Sequence, residues 1–177
     1  GMFMKFTIGI LLLAVSVTVN ASVVFAGELT VEFADAKWDG KKVPEGQHCK
    51  KFGGNGATPP LTVSGIPSEA NAIVVEFNDK SYGKLSSGGG HGKIGFHIQP
   101  GVGTATLPAV MGGTKDMPEG VWLEKKNRAK GDWRSDGYLP PCSGGKGNRY
   151  EAEIYAVIFA NDDYEKVAEG KIKLGKY

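Results

Sequence analysis

The segment from residue 27 to residue 177 reads as a single all-β domain, a sandwich or barrel with little helix. Three observations predict it. Its apolar residues gather in short β-branched runs, several with a period of two. The chain's 27 glycines, all but two of them in this segment, and its 9 prolines supply many tight turns. It holds no repeat, no heptad and no long amphipathic helix.

Leu29 to Phe33 alternates apolar and polar residues, the pattern of a half-buried first strand, and Trp38-Asp39-Gly40 then turns the chain. Pro44 to Pro60 has no periodicity and reads as a long ordered loop. Leu61-Thr62-Val63 is a short strand closed by Ser64-Gly65-Ile66-Pro67. Ala72 to Phe77 (AIVVEF) is apolar throughout, as expected of a strand in the middle of a sheet. Asn78 to Gly92 is glycine-rich and reads as a surface loop, followed by a strand at Ile94 to Ile98. Pro108 to Asp136 is mixed and polar, with Trp122 and Trp133 as packing anchors. Arg149 to Phe159 alternates and then turns apolar, a second strong strand. Asn161 to Glu169 is the one helix-like stretch, its Asn161-Asp162-Asp163 start suiting an N-cap. Lys171-Ile172-Lys173-Leu174 reads as a last edge strand guarded by lysines.

Residues 1–26 read as a secretory signal peptide. Gly1, ahead of Met2, is set aside as a cloning remnant. Lys5 gives a positive start, Phe6 to Val19 is apolar and uncharged, and Val24-Phe25-Ala26 suits a signal peptidase, leaving Gly27 as first mature residue. A membrane anchor is the alternative, but the run is shorter than the ~20 residues of a spanning helix and no basic cluster follows it. The expected location is periplasmic or secreted, with no stable membrane insertion once the signal is removed. Losing Lys5 leaves 20 basic residues against 19 acidic ones, a balance that argues against nucleic acid as a partner.

Cys49 and Cys142 are the only cysteines. In an oxidising compartment they read as a disulfide, worth about 4 kcal/mol in the chain-entropy account; two separate buried thiols are the alternative. His48, His91 and His97 do not stand at metal-ligand spacing, and two cysteines 93 positions apart make a poor structural zinc site, so no metal and no cofactor is expected. No Gly-x-Ser-x-Gly, phosphate loop or His-Glu-x-x-His occurs and no nucleophile–base pair is visible, so an enzyme is not expected.

Two segments carry more. One is Thr58-Pro59-Pro60-Leu61-Thr62-Val63-Ser64-Gly65-Ile66-Pro67, leading through a strand to Asn78-Asp79; the other runs from Asp132-Trp133 through Gly137-Tyr138-Leu139-Pro140-Pro141-Cys142 to Gly147-Asn148-Arg149-Tyr150. In order and spacing they resemble the phosphatidylethanolamine-binding protein family, especially its bacterial Raf-kinase-inhibitor-like branch. That pattern runs S-P-P-L-x-W-S-G-V-P, a strand, D-P-D-x-P, and later N-D-[FY]-G-x-x-G-Y-x-G-P-C-P-P-x-G-x-H-R-Y. The matches are Pro59, Pro60, Leu61, Ser64, Gly65 and Pro67, then Asp132, Gly137, Tyr138, Pro141, Cys142, Arg149 and Tyr150. The likeness covers most of the mature chain and is weakest between Lys80 and Pro118.

The resemblance implies a Greek-key β-sandwich with a small helical component and a small anion pocket at one end, which accepts phosphate-like head groups. Carried over, Asp79 falls on the pocket aspartate and Tyr150 on the late tyrosine. Asn148 stands where the family has histidine, Lys80, Ser81 and Gly83 replace the rest of D-P-D-x-P, and Val63 replaces the tryptophan. His91 lies near the other pocket histidine, although counting back from Ile98 and Pro100 puts Gly92 there. Asn148 donates through its amide but cannot carry charge, so anion affinity should be weaker than with an imidazole. Turn capping is the plain alternative for Asp79, a core aromatic role for Tyr150, and a solvated loop position for His91; His97 and His48 read as structural or exposed. The expected function is an exported binding protein for a small anionic or phosphorylated ligand. The alternative is an inhibitor or interaction partner of an extracytoplasmic protein such as a hydrolase, through Gly88-Gly89-Gly90 and Pro140-Pro141.

Overall fold

A computed structural model describes residues 1–2 and 27–177. The leader reading of residues 3–26 lies outside the described residues. The strands are β1 (Thr30–Phe33), β2 (Leu61–Ser64), β3 (Ala72–Asp79), β4 (Gly92–His97), β5 (Thr104–Leu107), β6 (Val121–Lys125), β7 (Arg149–Ala160) and β8 (Asp163–Lys176). Among the described residues, helix is confined to three single turns of 3-10 type, Lys50–Phe52, Gly83–Leu85 and Gly131–Trp133. The strands form two antiparallel sheets, β1-β2-β5 and β6-β4-β3-β7-β8.

The core lies between the sheets. Leu61, Val63 and Leu107 of the small sheet meet Ile73, Val75, Phe77, Ile94, Phe96 and Ile154 of the large one. The period of two that marks these strands sends the alternate residues of β3 outward. There Ala72 and Val74, with Val157, are covered by the side chains of Trp122, Tyr155, Phe159 and Tyr164. Trp122 lies flat enough on β4 that a Cβ at Gly95 would run into its indole. It therefore anchors packing as expected, but on the outer face. β3 is the middle strand, and all eight of its residues are buried.

Asn161 to Glu169 is not helical. Asn161 and Asp162 have φ of 54° and 59°, Ala160 pairs with Asp163, and the chain continues as β8. Asn-Asp serves equally as a helix cap and as the two-residue loop of a hairpin. Pairing along all of β7 decides for the hairpin, and β8 is the edge strand its lysines suggested, with Lys171 and Lys173 exposed. β6 falls in the segment read as mixed and polar, and β5 in the stretch between Gly101 and Pro108, for which the sequence suggests no element. The glycine-rich loop after β3 is only partly at the surface: Lys80 to Lys84 is exposed, but Gly89 to Gly92 is buried. Gly89 and Gly90 give their N–H groups to Asn78 Oδ1 at 2.9 and 3.1 Å, and a Cβ at Gly90 would collide with the Leu85 backbone.

Candidate ligand-binding site

The end of β3, the start of β4 and the start of β7 lie together at one end of the sandwich. Asp79 and Tyr150 are register partners across β3 and β7, with Asn148 just before β7. His91 immediately precedes β4, its N–H held by the Phe77 carbonyl at 2.8 Å. Asp79, His91, Asn148 and Tyr150 thus line one cavity of about 1070 Å³. Gly92 begins β4, so the loop takes up the one-residue offset and His91 is the inward histidine rather than a solvated one, with 3% of its surface exposed.

Asp79 both lines the cavity and caps a turn. Its Oδ1 accepts the Ser81 N–H at 2.9 Å, a turn-capping bond, and its Oδ2 accepts the Asn148 Nδ2–H at 2.8 Å. His91 Nδ1 lies 2.7 Å from the Leu139 carbonyl oxygen, to which it must donate. Burial pushes the His91 imidazole below its ordinary value; the Leu139 hydrogen bond and the nearby Asp79 work against that, and Arg128 with it. The Tyr150 hydroxyl accepts the Cys142 N–H at 3.2 Å, and the ring meets His91 edge-on at 5.3 Å. Burial raises the Tyr150 phenol to about 12, the Asp79 charge adding to it, so it stays protonated at neutral pH.

Cys49 and Cys142 form a disulfide, with Cα atoms 5.2 Å apart. It ties the 3-10 turn at Lys50–Phe52 to the wall that carries Leu139 and Cys142, and the Cys49 N–H donates to the Pro141 carbonyl at 3.0 Å. That wall supports His91 through Leu139, Tyr150 through the Cys142 N–H, and Trp133 through the Cys142 carbonyl, which accepts the indole N–H at 3.1 Å.

Several lining residues carry no local signal in the sequence. Trp133, read as a packing anchor, is 44% exposed at the cavity mouth, because its polar edge is satisfied by Cys142 while its ring face stays open. Phe52 and Tyr82 join it there, with Lys51, Lys84, Lys130 and Lys146. Arg128 holds the Gly83–Leu85 turn in place, donating to the carbonyls of Gly88, Lys84 and Ser87 at 3.1, 3.2 and 2.8 Å. Arginine's planar fork suits such a multiple contact, yet a lone arginine in a polar run does not announce it.

The other histidines lie elsewhere. His97 is exposed between Trp122 and Phe159 on the outer face, and His48 stacks on Tyr177. Among the described residues no group of three or more His, Cys, Asp and Glu gathers to hold a metal, and no helix is long and apolar enough to cross a membrane. Gly89, Gly90, Pro140 and Pro141, named above for partner contact, are buried and present little surface to one.

No protein-family model matches the chain, and no curated protein matches it in sequence. Solved structures do. A phosphatidylethanolamine-binding protein homologue from Chlamydia trachomatis superposes with a TM-score of 0.51 at 18% identity, covering 85% of this chain and 97% of its own. YbcL of E. coli, described as a member of the mammalian PEBP family, superposes with a TM-score of 0.53 at 21% identity, covering 85% and 98%. This chain therefore carries the all-β fold of the phosphatidylethanolamine-binding proteins.

Proposed function

We propose that the chain is an exported binding protein that holds a small anionic or polar head group, phosphorylated ligands included, in the cavity at Asp79, His91, Asn148 and Tyr150. The observation that carries this reading is the charge of the lining. Lys51, Lys84, Arg128, Lys130 and Lys146 face a single carboxylate, Asp79, although the mature chain as a whole is almost balanced. A concave site with one sign of charge concentrates ligands of the other. The neighbouring fold relatives are named for binding phosphatidylethanolamine, which agrees with such a ligand class.

Export is supported by the leader-like N-terminal sequence and by the disulfide, which persists in oxidising compartments. Ser143, the one serine lining the cavity, donates its hydroxyl to the Tyr177 carbonyl at 2.6 Å. NMR titration with phosphate, phosphoethanolamine and glucose 6-phosphate tests the reading. Shifts confined to the cavity lining are expected, and their absence with all three ligands would contradict it.

A further inference from the structure

The cavity changes character between its floor and its mouth. At the floor the His91 Nδ1–H is committed to Leu139, so the neutral ring offers a lone pair at Nε2. Each Asp79 oxygen keeps a second lone pair beyond its bond to Ser81 or Asn148. The bond to Asp79 also orients Asn148, using one of its two amide N–H groups and leaving the other over, with the amide oxygen. Tyr150 brings the other hydrogen, because its oxygen accepts from Cys142 and its own proton remains to give. The buried end is a group of acceptors with two donors among them, the Tyr150 hydroxyl and the second Asn148 N–H. A phosphate driven that deep would set its oxygens against a carboxylate and two further lone pairs.

The mouth is the reverse. Lys84, Lys130 and Lys146 are exposed there. So are three of the six large hydrophobic side chains exposed among the described residues: Phe52 at 40%, Tyr82 at 48% and Trp133 at 44%. Trp133 has spent its N–H on Cys142, so what it presents is ring face.

We infer, resting on the ligand-binding reading above, that the cavity takes an acidic sugar, with hydroxyls at the floor, the sugar ring against the aromatic mouth, and the carboxylate or phosphate on the lysines. A hydroxyl suits this floor because it both donates to the acceptors and accepts the Tyr150 proton. An ammonium group donates but cannot accept. A cavity of about 1070 Å³ also has room for a ring and its substituents, far more than a bare anion fills.

Calorimetry on the disulfide-intact protein, comparing glucose 6-phosphate with ethyl phosphate, glucose, phosphoethanolamine and inorganic phosphate, tests this. Glucose 6-phosphate is expected to bind at least about tenfold tighter than each of the others, which corresponds to about 1.4 kcal/mol. Trp133→Ala should weaken glucose 6-phosphate binding at least about tenfold, and by more than it weakens ethyl phosphate binding. Ethyl phosphate, inorganic phosphate or phosphoethanolamine binding as tightly as glucose 6-phosphate would overturn the sugar assignment and leave the binding function standing. Failure of every anion to bind would overturn both.

Discussion

Two buried carboxylates sit three residues apart on β3, and they are treated in opposite ways. Glu76 points outward, 3% exposed, and is met by Lys93 Nζ at 2.9 Å and Lys166 Nζ at 3.6 Å. Asp79 points to the cavity, 4% exposed, and is met by one amide side chain and one backbone N–H, with no cation in ion-pair range among the described residues. Burying a charge is costly unless it is paired. On the outer face that demand is met inside the fold. At the cavity it is met only by neutral donors, which leaves Asp79 with capacity for a group that comes from outside. A buried ionisable group left in that condition within a cavity marks a functional-site candidate.

The disulfide braces only the Asp79 side, so removing it should separate the two regions most. Cys49→Ser with Cys142→Ser is expected to cost about 2–5 kcal/mol of stability and to weaken ligand binding, because the wall holding His91, Tyr150 and Trp133 loses its tie. Denaturant unfolding and calorimetry read the two effects. Glu76→Gln should come next, at about 2 kcal/mol. That is below the about 3–5 kcal/mol of a fully buried broken pair, because Lys93 and Lys166 keep some contact with water. It should leave ligand affinity unchanged. Asp79→Asn should do the opposite, costing about 1 kcal/mol or less in the same melts and lowering affinity at least tenfold.

The smallest effect is in pH. His91 is held below its ordinary value of 6.5, so its share of stability is fully present above that pH and is lost as the pH falls toward the folded-state value. The melting temperature should therefore drop between pH 7 and pH 5, and His91→Gln should flatten that part of the slope. An equal slope in both proteins would exclude His91 as its source.

β3 and β7 were legible because their cores are apolar and β-branched, and because β7 also alternates cleanly. β5 was not, since Thr104–Leu107 offers four residues among glycines and prolines. β6 was not, since Val121, Trp122, Leu123 and Glu124 are all half-buried and so lack alternation. The β7–β8 turn was misread because Asn161-Asp162 serves two conformations, and only a partner strand chooses between them. Asp79, Asn148 and Tyr150 were legible through the two motifs. The same likeness put His91 near the pocket, one residue out of register; the orientation of its ring was not legible, because it is set by Leu139, 48 residues away. The aromatic mouth was legible in no part: Phe52, Tyr82 and Trp133 come together only once the disulfide and the Arg128 contacts have folded their loops.

The most direct measurement is a crystal structure of the disulfide-intact protein soaked with an anionic ligand such as glucose 6-phosphate. The expected result is density between Asp79 and Tyr150 within hydrogen-bond reach of both, with the Glu76 face unoccupied. Ligand seated on the outer face, with the Asp79 cavity holding only water, would contradict the contrast between the two carboxylates.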